Sequence, residues 1–174
     1  MSTRIIRSDD DIFNLIQCEK TMLKRPQNPK ESNRDIKRTF CVVSVDGLLE
    51  FEIFFAESVR LPDDFSVGLM FNKYQLFRCN GFHGETNAGF HRYEHHAQVH
   101  SHTLTYNDIT NGREGKPSKI DYLTGRYHDF PSAQLYFLRV CKINNYMNYF
   151  DFSKLDKLSF DDLKNGGGRN DTEV

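Results

Sequence analysis

The chain has 174 residues, enough to bury one core without disulfides or a structural metal. Hydrophobic residues make up 38% and charged residues 27%, and the formal net charge is −1. That balance leaves no global field to draw the protein onto nucleic acid or a membrane, so any such contact must come from a local patch.

Fifteen Phe and eight Tyr with no Trp supply much of the apolar bulk, a composition that favours strands. No run approaches the roughly 18 apolar residues that span a bilayer, and the first residues lack the apolar core of a secretory signal. The expected setting is cytoplasmic, with no membrane partner. Cys18, Cys41, Cys79 and Cys141 form no C-x-x-C pair. Each lies in an apolar run, which predicts reduced thiols in the core.

Ser8 before Asp9, Asp10 and Asp11 is a helix start, a capping hydroxyl followed by acids at the positive end of the dipole. Ile12, Leu15, Ile16 and Leu23 continue at helical spacing, predicting a helix over 8–24 that stops before Pro26. Residues 25–35, with two prolines, read as a loop. The period then changes. Strands are predicted over 39–45, 48–56, 65–71, 74–79 and 97–106, within a sheet region spanning 36–106. Asp46-Gly47 is the hairpin turn between the first two, and Asn80-Gly81 ends the fourth.

Residues 107–120, with Gly112, Gly115 and Pro117, read as loop. In the C-terminal part (120–160), Ser132 is expected to cap a helix carrying Leu135, Leu138 and Val140, preferred over a strand from Leu135 to Ile143. The tail from 161 to 174 is polar, contains Gly166-Gly-Gly, and is expected to be disordered. The whole reads as one α+β domain over 1–160: a curved antiparallel sheet or small barrel with an N-terminal helix and one C-terminal helix.

Six of the seven histidines lie between His83 and His102: His83, His91, His95, His96, His100 and His102. Along a strand, side chains alternate between faces, so His100 and His102 project in parallel, roughly 7 Å apart by the strand rise. His83 follows the Asn80-Gly81 turn and reaches the same end of the sheet, and Arg78 brings a cation to it.

Three chemistries fit. In the first, His100 and His102 act as general acid and base on a phosphodiester, because an imidazole titrates near neutrality. His83 then assists and Arg78 binds phosphate. Asn80, Arg92, Tyr93 and Tyr106 supply substrate contacts, with RNA as the expected partner. This scheme needs no cofactor. In the second, a divalent transition metal sits on His83, His100 and His102, with His91, His95 or Glu85 as other sources of a third ligand. In the third, the protein is a binding module for a protein or nucleic-acid partner. It would use the stretch 20–38, where Lys20, Lys24, Arg25, Lys30, Arg34, Lys37 and Arg38 face only Glu31 and Asp35. The bland alternative for any single histidine, His96 and His128 above all, is a solvated or backbone-bonded side chain.

The His100-x-His102 pair is similar to the metal motif of cupins. It departs from that motif where a Gly is wanted six residues earlier (Glu94 stands there) and where a Glu should follow the second His. The run Leu76-Phe-Arg-Cys-Asn-Gly-Phe-His-Gly, with Gln98-Val-His-Ser-His after it, resembles a bacterial family of uncharacterised small domains linked to toxin–antitoxin or phage-defence loci. That resemblance implies RNA as substrate and groups Arg78, Asn80, His83, His100 and His102 as one constellation. The reading preferred from sequence is a small endoribonuclease-like or phosphodiesterase-like protein. The sequence fixes no oligomeric state.

Overall fold

In the computed structural model, residues 6–83, 94–123, 125–153 and 155 are described. Ser8 caps the first helix as its position predicts: its hydroxyl accepts from the Asp11 amide at 3.2 Å. The helix, α1 (Asp9–Gln17), is shorter than the periodicity predicts. The chain turns extended at Cys18 and enters a strand, β1 (Lys20–Met22). Burial explains the early stop. Lys20 is fully buried, and its ammonium donates to the carbonyls of Ile16 and Cys18 at 2.8 Å, capping the helix from beyond its end. A third bond to the Cys141 carbonyl, at 3.2 Å, ties in the C-terminal helix. Lys20 therefore leaves the basic stretch in which sequence counts it. Leu23, read as part of the helical stripe, is 67% exposed.

Within the expected loop a short strand, β2 (Lys30–Glu31), pairs with β3 (Asp35–Ser44). β3 and β4 (Glu50–Ser58) form the predicted hairpin, with Gly47 at φ +73° in its turn. β5 (Phe65–Phe71), β6 (Tyr74–Asn80) and β7 (His100–Thr103) follow, each antiparallel to the one before. The stretch expected to be loop holds a short helix, α2 (Tyr106–Thr110), and an edge strand, β8 (Lys119–Tyr122), paired with β7. The eight strands make one sheet in the order β1-β3-β4-β5-β6-β7-β8, with β2 on β3. Its end strands do not pair, so the sheet is open and not a barrel.

The last helix, α3 (Phe130–Val140), starts from Asp129 and not from Ser132. Asp129 accepts from the Ser132 amide at 2.9 Å, and Ser132 accepts from the Asp129 amide at 3.1 Å. Ser132 is thus the reciprocal partner in a capping box. Between them α1 and α3 cover one face of the sheet. Phe40, Val42, Phe51, Ile53, Phe55, Val67, Leu69 and Phe77 are buried there with Ile12, Leu15, Phe137 and Leu138. Phe137 meets Phe55 edge-on at 6.3 Å and stacks on Phe77 at 6.0 Å. Each such side chain contributes about 1.5–3 kcal/mol by leaving water.

The strand alternation that sends Phe40 and Val42 inward sends Cys41 outward. Cys41 is exposed, against the expectation of a core thiol, while Cys79 and Cys141 are buried and Cys18 is half-buried. All four are free thiols. The expected tail, 161–174, lies outside the described residues. No helix among the described residues is long and apolar enough to cross a membrane.

Candidate metal centre

In the β6–β7 pair, Arg78 stands opposite His102 and Asn80 opposite His100. Directly opposed residues point to one side of a sheet, as do residues two apart along a strand. These four therefore share the face away from the two helices. β5 adds Ser66 opposite Asn80 and Gly68 opposite Arg78. The pairing carries the predicted His100/His102 face into the folded protein and sets Arg78 and Asn80 against it.

His100 is fully buried and His102 is 7% exposed. Each ring is held by a backbone carbonyl: His100 Nδ1 lies 2.8 Å from the Gln98 oxygen, and His102 Nδ1 lies 3.1 Å from the Pro117 oxygen. A carbonyl can only accept, so Nδ1 carries the proton in both rings and Nε2 is left with a lone pair. Pro117 is itself set by buried Asp108, whose carboxylate accepts from the Ser118 amide at 3.0 Å and from Thr105 Oγ1 at 2.8 Å. Burial alone would raise the pKa of Asp108, but these bonds from Ser118 and Thr105 hold it below its ordinary value. Tyr127 clamps the other end, donating to the carbonyls of Asn80 and His100, each at 2.9 Å.

The segment after β6 returns more imidazoles to the same place. His83 Nε2 lies 3.2 Å from His100 Nε2, and Asn80 Nδ2 lies 3.2 Å from that same atom. A single 3-10 turn, Glu94–Ala97, delivers His95 and His96. The His95 ring is 5.0 Å from His100 and 5.6 Å from His102, and His100 is 4.9 Å from His102. The three planes cross at 78°, 80° and 75°, so the rings meet edge-on and do not stack. One ring nitrogen from each of His95, His100 and His102 lies within 4.8 Å of the others. Ligands on a tetrahedral zinc stand about 3.3 Å apart, given bonds of about 2.0–2.1 Å. The trio is therefore within a small side-chain adjustment of ligation. His96 packs 4.0 Å from His83 and 4.3 Å from His95.

The electrostatics favour neutral rings. Burial first, then the like charges of Arg78 and neighbouring imidazoles, push His102 down to about 4. Burial lowers His100 to about 4 and His83 to about 3, with the same cationic neighbours adding to it. His95 is lowered too, by burial and by Arg78. Neutral imidazole is the form that ligates metals. His102 Nε2 is buried and has no hydrogen-bond partner, and the same holds for Arg78 Nε and Ser66 Oγ.

Arg78, Asn80, His83, His100 and His102 are thus brought together as expected from sequence. Tyr106 is not: it lies beyond the far end of β7, opening α2, with its amide donating to Asp9 at 2.6 Å and its ring 38% exposed. Arg92 and Tyr93, together with His91 and Glu85, lie outside the described residues. His128 is exposed, 3.6 Å from Asp129. His95 is the residue whose ring nitrogen converges with those of His100 and His102, and sequence offers it only as an alternative to His83 for a third ligand. Its side-by-side position with His96 in a polar loop carries no period from which a direction can be read. Comparison with protein-family models, with curated proteins and with solved structures finds no match.

Proposed function

We propose that this chain is a transition-metal protein in which His95, His100 and His102 hold one divalent ion at a centre of the open, catalytic type. The carrying observation is His102 Nε2, a buried nitrogen stripped of its proton by the Pro117 bond and left without a partner. Buried polar atoms are nearly always satisfied, and an orphan lone pair beside two other imidazoles is what a cation satisfies. Three imidazoles with no thiolate is the donor set of catalytic zinc, whereas structural zinc is usually closed by cysteines. Nickel, copper and iron also suit imidazole.

The backbone carbonyls of Gln98 and Pro117 act as the orienting groups that metal-bound histidines require. His83 Nε2 and Asn80 Nδ2 lie on His100 Nε2 itself, at 3.2 Å each, and would give that lone pair up to the ion. A metal there would supply Lewis acidity to a bound substrate. The metal-free acid–base scheme is the weaker reading. A histidine with a pKa of about 4 is protonated in about one molecule in a thousand at pH 7, too few for an efficient general acid.

The test is the metal content of tag-free protein by elemental mass spectrometry after growth with zinc, nickel and iron. One equivalent of metal in the wild type, lost in His102→Ala and His100→Ala, supports the proposal. Metal-free protein that takes up no added zinc refutes it, and an RNA digest in EDTA would then decide whether metal-free cleavage takes its place.

A further inference from the structure

We infer that the sheet face beside the histidines is a phosphate-ester site, with the Arg78 guanidinium as its anchor, Ser66 Oγ as a second donor and the Phe54 ring as a flanking platform. The charge balance of this inference rests on the metal reading. Its geometry stands on different atoms.

Arg78 Nε and Ser66 Oγ are both buried and neither has a hydrogen-bond partner. They lie on neighbouring strands of one face, because Ser66 opposes Asn80, two residues along β6 from Arg78. Diagonal neighbours of this kind have side chains roughly 7 Å apart, a gap that one phosphoryl group with its hydrogen bonds spans. Arg78 can only donate and the Ser66 hydroxyl can donate, so one acceptor satisfies both.

Its charge follows from the surroundings. Arg78 takes part in neither ion pair of the described residues, Lys73–Glu114 and His128–Asp129. Arg78 is half-buried with its Nε out of reach of water; a partly desolvated cation without a counter-charge is costly, and a divalent ion on the imidazoles would add to the excess. An oxyanion cancels it, and the guanidinium fork is shaped for one.

The flank favours a phosphate ester over a simple carboxylate. Phe54 stands opposite Gly68, and Gly68 stands opposite Arg78. A Cβ on Gly68 would meet the Phe54 ring at 2.4 Å, so the ring lies over the glycine, one strand away from Arg78. Lys37 Nζ sits 5.3 Å from that ring's centroid. The face thus carries cation, aromatic ring and cation in line, the alternation that binds a base between phosphates.

The experiment is isothermal titration of zinc-loaded, tag-free full-length protein with inorganic phosphate, with acetate and with a short single-stranded RNA. Zinc is quantified in every sample. The expected result is phosphate binding that falls about tenfold or more in Arg78→Gln at unchanged zinc stoichiometry. Phe54→Ala should weaken the RNA and leave inorganic phosphate alone if the ester comes from a strand. An equal response of both ligands to Phe54→Ala would remove the platform from the proposal. Should Arg78→Gln fail to fold, Arg78→Lys, which keeps charge and loses the fork, should still weaken phosphate several-fold. Phosphate that binds no better than acetate, or that ignores Arg78, overturns the inference while the metal reading stands. Protein without zinc overturns the metal reading, and Arg78-dependent phosphate binding to that protein would still support this one.

Discussion

Zinc should stabilise the wild-type fold, and removing one imidazole should erase that effect. The proposed ligand nitrogens of His95, His100 and His102 already lie within 4.8 Å of one another, so little ordering remains for the ion to impose. With zinc at one hundred times its dissociation constant, linkage adds about 2.7 kcal/mol to unfolding. At about 2.1 cal/mol/K of unfolding entropy per residue, a chain of 174 residues converts that into a rise in Tm of about 7 °C. Differential scanning fluorimetry of tag-free protein, with and without zinc and then with EDTA, measures it. His102→Ala should lose the shift altogether. His83→Ala should keep it, since His83 contacts the same His100 Nε2 that the metal would take and competes with it. His128→Ala, at an exposed ring remote in sequence from the cluster, should keep it whole. A full shift in His102→Ala, or none in the wild type, would refute the reasoning from the orphan nitrogen.

The metal-free protein should lose stability on acidification between about pH 6.5 and 4. Because His100 and His102 titrate near 4 when folded and near 6.5 when unfolded, the unfolded chain takes up protons first as pH falls. Each contributes a slope of about 1.4 kcal/mol per pH unit in that window, and urea melts of His102→Gln should show one such slope missing. Lys20→Met should cost about 1–3 kcal/mol by chemical denaturation, because the carbonyls of Ile16, Cys18 and Cys141 lose their donor; a neutral result would mean that apolar packing replaces the clasp. Tyr127→Phe should cost about 1–3 kcal/mol in the same assay and lower zinc affinity, since its hydroxyl ties Asn80 to His100. Gly81→Ala should be worse tolerated than Gly68→Ala. A Cβ at 81 meets the Asp63 backbone oxygen at 2.1 Å, whereas at 68 it meets a half-buried ring that can swing aside, and relative soluble yield and Tm check the order.

Local chemistry determined much of this protein from sequence alone. Ser8 with three aspartates starts α1, Asp46-Gly47 turns the β3–β4 hairpin, and period-two alternation puts His100 and His102 on one face. Each of these depends on neighbours a few residues away, so the sequence shows it directly. The Asn80-Gly81 break was also legible, but its reason was not: the glycine is required because the Asp63 carbonyl crosses it, a contact between distant segments.

The misreadings share that cause. Residues 20–22 carry a helical spacing, yet they form a strand because an open edge of β3 and the distant Cys141 carbonyl are there to receive Lys20. β8 is four residues without alternation, and only β7 beside it makes it a strand. His95 becomes a candidate ligand because one 3-10 turn folds back over β7. The lowered pKa of His83, His95, His100 and His102 is likewise a matter of burial and of Arg78 across the strand pair. Sequence therefore supplied the elements and the clustering of the histidines. Tertiary structure decided which nitrogens converge, which are orphaned and which are neutral, because strand pairing, burial and the Pro117 carbonyl set all three.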